Sequence, residues 1–392
     1  MFPLMPATCF LAAFTTNPPR QIPACNWRVK SLAAAPAAHA FTEDITQDRY
    51  DDLLKWFLSK NERSYVSSKF EIRPSTCGGF GAFACGDLEE GELLLRIPRA
   101  CCVTLDDAFN DVDCGPAFKR LMEQAGPGSD TVIIAGYLAK EYLLAQEYDR
   151  RLREVENGVL VDSSARKRLE RIKYGPYLRS LPWKAGVNAQ DHILFWEAGD
   201  VDSLFKGSLA YEDAFEIRNS VRQATKILAG MIGPTVSKAR GMEDVQDDTS
   251  GFRLPWQAKK TNDVSYTDLE GLEEAICGAF VICLSRSFAC KFTKEDMKEE
   301  ECLIPVLDIL QHSNDPNVSM VNADQSNLIE VKAAVAVKAG DELFNQYKPE
   351  DDANMPYHKF FTRFGFVPGV TEPIVNLVKN RSTIFFPKQQ VV

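Results

Sequence analysis

The sequence predicts an α+β chain in which short strands flank a long helical stretch. Strand-like segments bounded by Gly and Pro occupy residues 69–97 and return after Cys302. Between them, residues 105–284 carry apolar side chains at helical spacing. That order, strands then helices then strands, favours α+β over a parallel doubly wound sheet.

The elements follow in order. After Thr46, Tyr50, Leu53, Leu54 and Phe57 fall at i, i+3, i+4 and i+7, one face of a helix. Lys69 to Arg73 reads as a strand, Cys77-Gly78-Gly79-Phe80-Gly81 as a turn, Ala82 to Ala84 as a second strand, and Leu93 to Ile97 as a third, stopped by Pro98. Within the helical stretch, Thr131 to Gln146 follows possible caps at Ser129 and Asp130. Residues 147–174 balance base against acid and read as a solvated helix face. Ile217, Val221, Ala224, Leu228 and Met231 form a buried stripe, as do Leu272, Ile276, Ala279 and Cys283, which deliver Ser285-Arg286 to the end of their helix. Residues 240–265 lack periodicity and read as a loop. Asn327 to Val337 and Glu342 to Phe344 are strand-like, separated by a Gly340-Asp341 turn. Asn354 is a candidate cap for a last helix with Pro356 in its first turn, Tyr357, Phe360, Phe361 and Phe364 as its stripe, and Gly365 as its stop.

Composition bounds the function. The 392 residues are enough for two domains or one large domain with an insertion. A formal net charge of −10 lacks the basic footprint needed to neutralise phosphates, so nucleic acid is not the expected partner. No apolar run approaches the roughly 20 residues that span a bilayer. The 11 cysteines form no CxxC pair and no histidine pair has ligand spacing, so reduced thiols and no metal site are expected. The first acid is Glu43; before it lie scattered bases, prolines and an alanine-rich run, the pattern of a transit peptide for a plastid. Without such an address the chain would be cytoplasmic.

Read from residues alone, three spots invite chemistry. The Gly78–Gly81 turn serves either as an ordinary turn or as a set of backbone groups close to a ligand. Gln311-His312-Ser313-Asn314 follows an apolar run ending at Leu310, and His312 is either a hydrogen-bonded structural histidine or a functional one. Tyr347 closes a predicted strand. No GxSxG, Walker A or HExxH motif occurs.

Taken in register, Gly79-Phe80-Gly81, Leu95-Arg96-Ile97-Pro98, Tyr174 to Pro182, Ser285-Arg286-Ser287-Phe288, Leu303 to Asp308 with Gln311-His312-Ser313, Gly340-Asp341-Glu342-Leu343, Asn345-Gln346-Tyr347 and Phe364-Gly365-Phe366 form one pattern. It resembles the SET-domain methyltransferases, in the branch that includes Rubisco large-subunit methyltransferase, over about residues 66–370. The resemblance implies a SET β fold with its pseudoknot, split by a helical insertion. With the acid-free segment set apart, the chain divides into 1–42 (targeting or disordered), 43–104 (N-terminal helix and first SET part), 105–284 (helical insertion), 285–370 (second SET part) and 371–392 (short tail). The helical substrate-binding domain that follows in relatives is expected to be largely absent.

The resemblance also implies S-adenosyl-L-methionine (AdoMet) as cofactor and a protein substrate. It assigns Gly78, Gly79, Phe80, Gly81, Arg286, Asp308, Gln311, His312 and Phe366 to the cofactor, Ser285 and Phe288 to the substrate, and Tyr347 to catalysis. A guanidinium at Arg286 suits a planar carboxylate. A lysine acceptor must lose a proton first, which costs roughly 4–5 kcal/mol from a pKa of ~10.4 to neutrality. Burial and a neighbouring sulfonium both favour the neutral amine. Phe288 stands where lysine-directed relatives carry an aromatic, and histidine-directed ones Asn, so lysine is the expected acceptor; histidine methylation and a weakly catalytic partner-binding module are the alternatives. Gln311 in place of Asn is expected to crowd its loop, and Phe364 in place of Tyr removes a hydroxyl.

Overall fold

The computed structural model describes residues 43–126, 128–156, 172–186, 190–241, 266, 269–292, 299–323, 327–347 and 355–368. The expected targeting segment, the tail, Asn354 and most of the loop over 240–265 lie outside the described residues. No helix among the described residues is long and apolar enough to cross a membrane.

Helix α1 (Glu43–Lys60) buries Tyr50, Leu53 and Phe57, the stripe its spacing predicts. Strands β1 (Tyr65–Val66), β2 (Phe70–Pro74), β3 (Phe80–Ala84) and β4 (Leu93–Pro98) follow. The helical stretch comprises α2 (Leu105–Phe109), α3 (Gly115–Ala125), α4 (Asp130–Glu156), α5 (Gly175–Ser180), α6 (Ala198–Phe205), α7 (Leu209–Ala239) and α8 (Leu272–Arg286). The chain returns to strands in β5 (Ser287–Cys290), β6 (Glu300–Leu303), β7 (Gln311–His312), β8 (Val318–Ala323), β9 (Leu328–Ala333) and β10 (Glu342–Asn345), and α9 (Tyr357–Phe364) follows.

Two four-stranded sheets are ordered β1-β4-β9-β8 and β2-β3-β10-β7, beside a β5-β6 hairpin. Strand β10 decides where the site forms. On one side it pairs antiparallel with β3, and on the other it runs parallel to β7, with Phe344 opposite Gln311 and Asn345 opposite His312. A parallel pair needs a long crossover. Here the crossover carries β8 and β9, which pair with each other in the other sheet. One strand therefore joins a segment from before the helical stretch to one from after it.

Helix α8 exceeds its predicted stripe: ten of its residues are buried, because it lies inside the helical layer against α4 and α7. Such a helix is apolar on all faces. Its Gly278 admits the Trp183 backbone; an added Cβ would stand 2.5 Å from that carbonyl oxygen. Held this firmly, α8 fixes the position of Arg286 at its last turn.

Several boundaries differ from expectation. Helix α4 runs beyond Gln146 through Glu156, and its Glu147 is buried and clamped by Arg150 and Arg151, so this face is not simply solvated. The β5-β6 hairpin and β8 were not expected, since their short polar-rich sequences lack a clear period. Pro356 is the N-cap of α9 and does not lie in its first turn, whereas Gly365 ends the helix in the left-handed conformation at φ 81° as expected.

Candidate functional site

A cavity of about 380 Å³ opens where the two halves of the strand region meet the helical layer. Cys77 and Gly78 form one wall; Ser285, Arg286, Asp308, Gln311 and His312 form the floor; Tyr347, Phe364 and Phe366 form an aromatic side.

The glycine turn is built by backbone geometry. Gly78 (φ 98°) and Gly79 (φ 65°) occupy the left-handed region, where a side chain would be strained. The Ser75 N–H donates to the Gly79 carbonyl at 2.9 Å, and the Gly78 N–H donates to the Ser75 carbonyl at 3.2 Å. At Gly81 the requirement is space, because an added Cβ would stand 2.1 Å from Glu342 Oε1. Phe80 turns away from the cavity and stacks on Tyr50 with ring centroids 4.6 Å apart. Of the four residues expected here, Gly78 lines the cavity while Gly79, Phe80 and Gly81 stand behind it.

Gln311 joins this turn to the floor. Its side-chain amide donates to the Phe80 carbonyl at 2.7 Å and to the Gly78 carbonyl at 3.3 Å. The longer amide thus reaches across to β3.

Arg286 and Asp308 form the charged centre. Arg286 Nη1 donates to the Asp308 backbone carbonyl at 2.7 Å and lies 3.7 Å from its carboxylate Oδ2. The Tyr177 hydroxyl donates to that same Oδ2 at 2.9 Å. Arg286 Nε and Asp308 Oδ1, both buried, make no hydrogen bond with described residues. Burial pushes the Asp308 carboxyl up to about 6, against the pull of Arg286 and the Tyr177 hydroxyl. The segment reaches this place through Val306, whose φ of 73° starts the 3-10 turn Leu307–Ile309 that carries Asp308.

Tyr347 lies just past β10. Its N–H donates to His312 Nδ1 at 3.1 Å, and its hydroxyl donates to the Leu310 carbonyl at 2.8 Å. Burial pushes the phenol up to about 12, partly opposed by Arg286, so it keeps its proton at neutral pH. Phe364 packs 5.3 Å from the Tyr347 ring, and Phe366 stands edge-on at 6.1 Å.

Two expected substrate residues sit differently. Ser285 lines the cavity, but its hydroxyl donates back to the Val281 carbonyl within α8. Phe288 is absent from the cavity walls; it is half-buried on β5 opposite Cys302 and packs against the core. Sequence reasoning gave no role to Gln190 and Asp191, which line the rim and carry no motif, nor to Tyr177, although Tyr177 lies in a segment already singled out.

Comparison with known proteins fits this geometry. The family model described as SET domain matches residues 79–348. No curated protein sequence matches the chain. Among solved structures, the SET domain of LSMT bound to lysine and AdoHcy is similar with a TM-score of 0.52 and 16% identity, covering 82% of this chain and 57% of that one. Rubisco LSMT bound to AdoMet gives a TM-score of 0.51 at 16% identity, with the same 82% and 57% coverage. Rubisco LSMT bound to sinefungin and monomethyllysine gives 0.51 at 15%, covering 82% and 56%. The chain thus spans little more than half the length of these neighbours, and at such identity the likeness is one of fold.

Proposed function

The chain belongs to the SET domain family, and from that premise we propose that it is an AdoMet-dependent protein N-methyltransferase acting on a lysine side chain. The observation that carries the reading is the convergence of Gly78, Arg286, Asp308, Gln311, His312 and Tyr347 on one cavity from distant stretches of sequence. Its volume lies in the range of about 300–1,000 Å³ usual for small-molecule sites. The unpaired Arg286 Nε is a donor for a carboxylate, and the unpaired Asp308 Oδ1 is an acceptor for an ammonium or hydroxyl group. This donor set fits the methionine and ribose parts of AdoMet, and the aromatic side with Phe366 fits its adenine.

In this reading Arg286 and Asp308 hold the cofactor's amino-acid end, the Gly78 backbone admits its close approach, and the Gln311-His312 backbone meets the adenine edge. AdoMet supplies a methyl group on a positively charged sulfur, open to in-line displacement. The chain's part is mainly position. Tyr347 stays protonated and donates to the Leu310 carbonyl, so its oxygen lone pairs are available to orient an amine. It acts as an orienting group, because a phenol at about 12 is a poor source of phenolate at neutral pH. The Phe364 and Phe366 rings exclude water, which favours the neutral amine of the acceptor.

Lysine is preferred to histidine because neighbours of this fold are bound to lysine and methyllysine. Phe288, half-buried against the core and outside the cavity lining, does not add to that preference. The proposal includes the division at residues 105 and 285 into two SET parts and a helical insertion, and plastid routing by the acid-free segment before Glu43. The test is labelled-methyl transfer from AdoMet into a cell lysate, followed by mass spectrometry of the product. Methyllysine supports the reading; methylhistidine transfers it to the other acceptor; no incorporation contradicts it.

A further inference from the structure

We infer that Tyr177 is a positioning residue of the cofactor site, placed by the helical stretch so that its hydroxyl holds the Asp308 carboxylate charged opposite Arg286. The role given to Asp308 and Arg286 rests on the AdoMet reading; the Tyr177–Asp308 coupling does not.

Tyr177 lies on α5, more than 100 residues before Arg286 and Asp308, and its ring is fully buried. Its hydroxyl is spent on one acceptor, Asp308 Oδ2, at 2.9 Å. The other oxygen, Oδ1, is buried and makes no hydrogen bond with described residues, and Asp308 itself lines the cavity. On the opposite side, Arg286 Nη1 donates to the Asp308 backbone carbonyl, while Nε makes no hydrogen bond with described residues. Beside the cavity the pair therefore keeps one acceptor and one donor unengaged by described residues, and Tyr177 fixes which carboxylate oxygen is taken.

A phenol at neutral pH only donates to a carboxylate, so its bond favours the ionised form of Asp308. The charged and titratable groups facing Asp308 are Arg286 at the end of α8, Tyr177 on α5 and Tyr347 after β10. Arg286 in turn faces Tyr50 on α1, and Tyr177 faces Cys283 on α8. Arg286 and Tyr177 pull the Asp308 carboxyl down and burial pushes it up, leaving it at about 6. Loss of the Tyr177 hydroxyl removes one of the downward pulls and leaves those of Arg286 and the Asp308 backbone N–H. Protonated Asp308 no longer balances Arg286, and the site then accepts a zwitterionic amino acid less well.

The experiment measures S-adenosylhomocysteine binding to the full chain by calorimetry, from about pH 5 to about pH 8, for wild type and Tyr177→Phe. The expected result is an acid limb displaced upward by about one pH unit, with affinity near pH 8 within about threefold of wild type. A Tyr177→Phe profile identical to wild type, or one lowered equally at every pH, overturns the inference. Carboxyl infrared bands of the unliganded wild-type chain give an independent readout, should Tyr177→Phe fail to fold. One buried carboxyl protonating near pH 6 together with a shift of a tyrosine C–O band supports the coupling, and no such linked change overturns it. If no pH gives binding, the AdoMet reading fails, and the infrared bands alone decide the Tyr177–Asp308 coupling.

Discussion

The Gln311 side-chain amide donates to the Phe80 carbonyl at 2.7 Å, and this bond fastens the floor of the cavity to the glycine turn. A second bond to the Gly78 carbonyl at 3.3 Å shares the same nitrogen. Gln311→Ala removes both and leaves the Phe80 carbonyl at the start of β3 and the Gly78 carbonyl in the turn without this partner. The expected outcome is a loss of about fivefold in S-adenosylhomocysteine affinity by calorimetry, since one such bond contributes about 1 kcal/mol. Gln311→Asn, one methylene shorter, is expected to recover little of it.

Arg286 offsets a carboxylate that burial disfavours. Arg286→Met leaves Asp308 buried without its cation, and the carboxyl then rises above its present value of about 6. At pH 7.5 the variant should lose about 3–5 kcal/mol in urea unfolding. The loss should shrink near pH 5, where Asp308 in the variant is neutral. A cost independent of pH would show that the pair is not coupled.

His192 supplies a pH dependence of opposite sign. It is fully buried; its Nδ1 accepts from the Leu194 N–H, and its Nε2 donates to the Arg363 carbonyl at 3.1 Å, tying the helical stretch to α9. Burial holds its pKa down at about 4, so the ring is neutral in the fold. A depressed base contributes stability that is present above the ordinary value of 6.5 and is lost as pH falls through 4, by roughly 3 kcal/mol. Asp308, raised above the ordinary carboxylate value, contributes in the other direction: its share is full below that ordinary value and is lost as pH rises through about 6. In His192→Asn, urea unfolding should therefore lose less stability between pH 6 and pH 4 than in wild type.

Gly81 is required by the volume of its neighbour. Gly81→Ala brings its methyl against the end of the Glu342 side chain, which must swing aside, and should destabilise the fold by about 1 kcal/mol in thermal unfolding. Combining it with Glu342→Ala should restore part of that loss, because the clash is pairwise.

Much of this was legible in the chain. The stripes Tyr50-Leu53-Phe57 and Ile217-Val221-Ala224-Leu228 are buried as their spacing requires, and Gly365 caps α9 in the conformation only a flexible residue adopts easily. Tyr347, Arg286, Asp308, Gln311, His312, Gly78 and Phe366 all reach one cavity. What sequence could not give was set by tertiary geometry. Phe288 follows Arg286 closely, yet the β5-β6 pairing turns it to the core opposite Cys302. Gln311 looked too long for its place, and its length is what reaches Phe80. Tyr177 sits in the Tyr174–Pro182 segment, whose place in the site the sequence alone does not show, and Asp191 lies in a connection that carries no motif; tertiary packing brings both to the site.

The most direct test of the account is methyl transfer by Tyr347→Phe, measured with labelled AdoMet beside S-adenosylhomocysteine affinity. The orienting role of the phenol predicts a fall in turnover of about 100-fold with affinity kept within about tenfold. Turnover equal to that of the wild type would contradict it and remove Tyr347 from the chemistry.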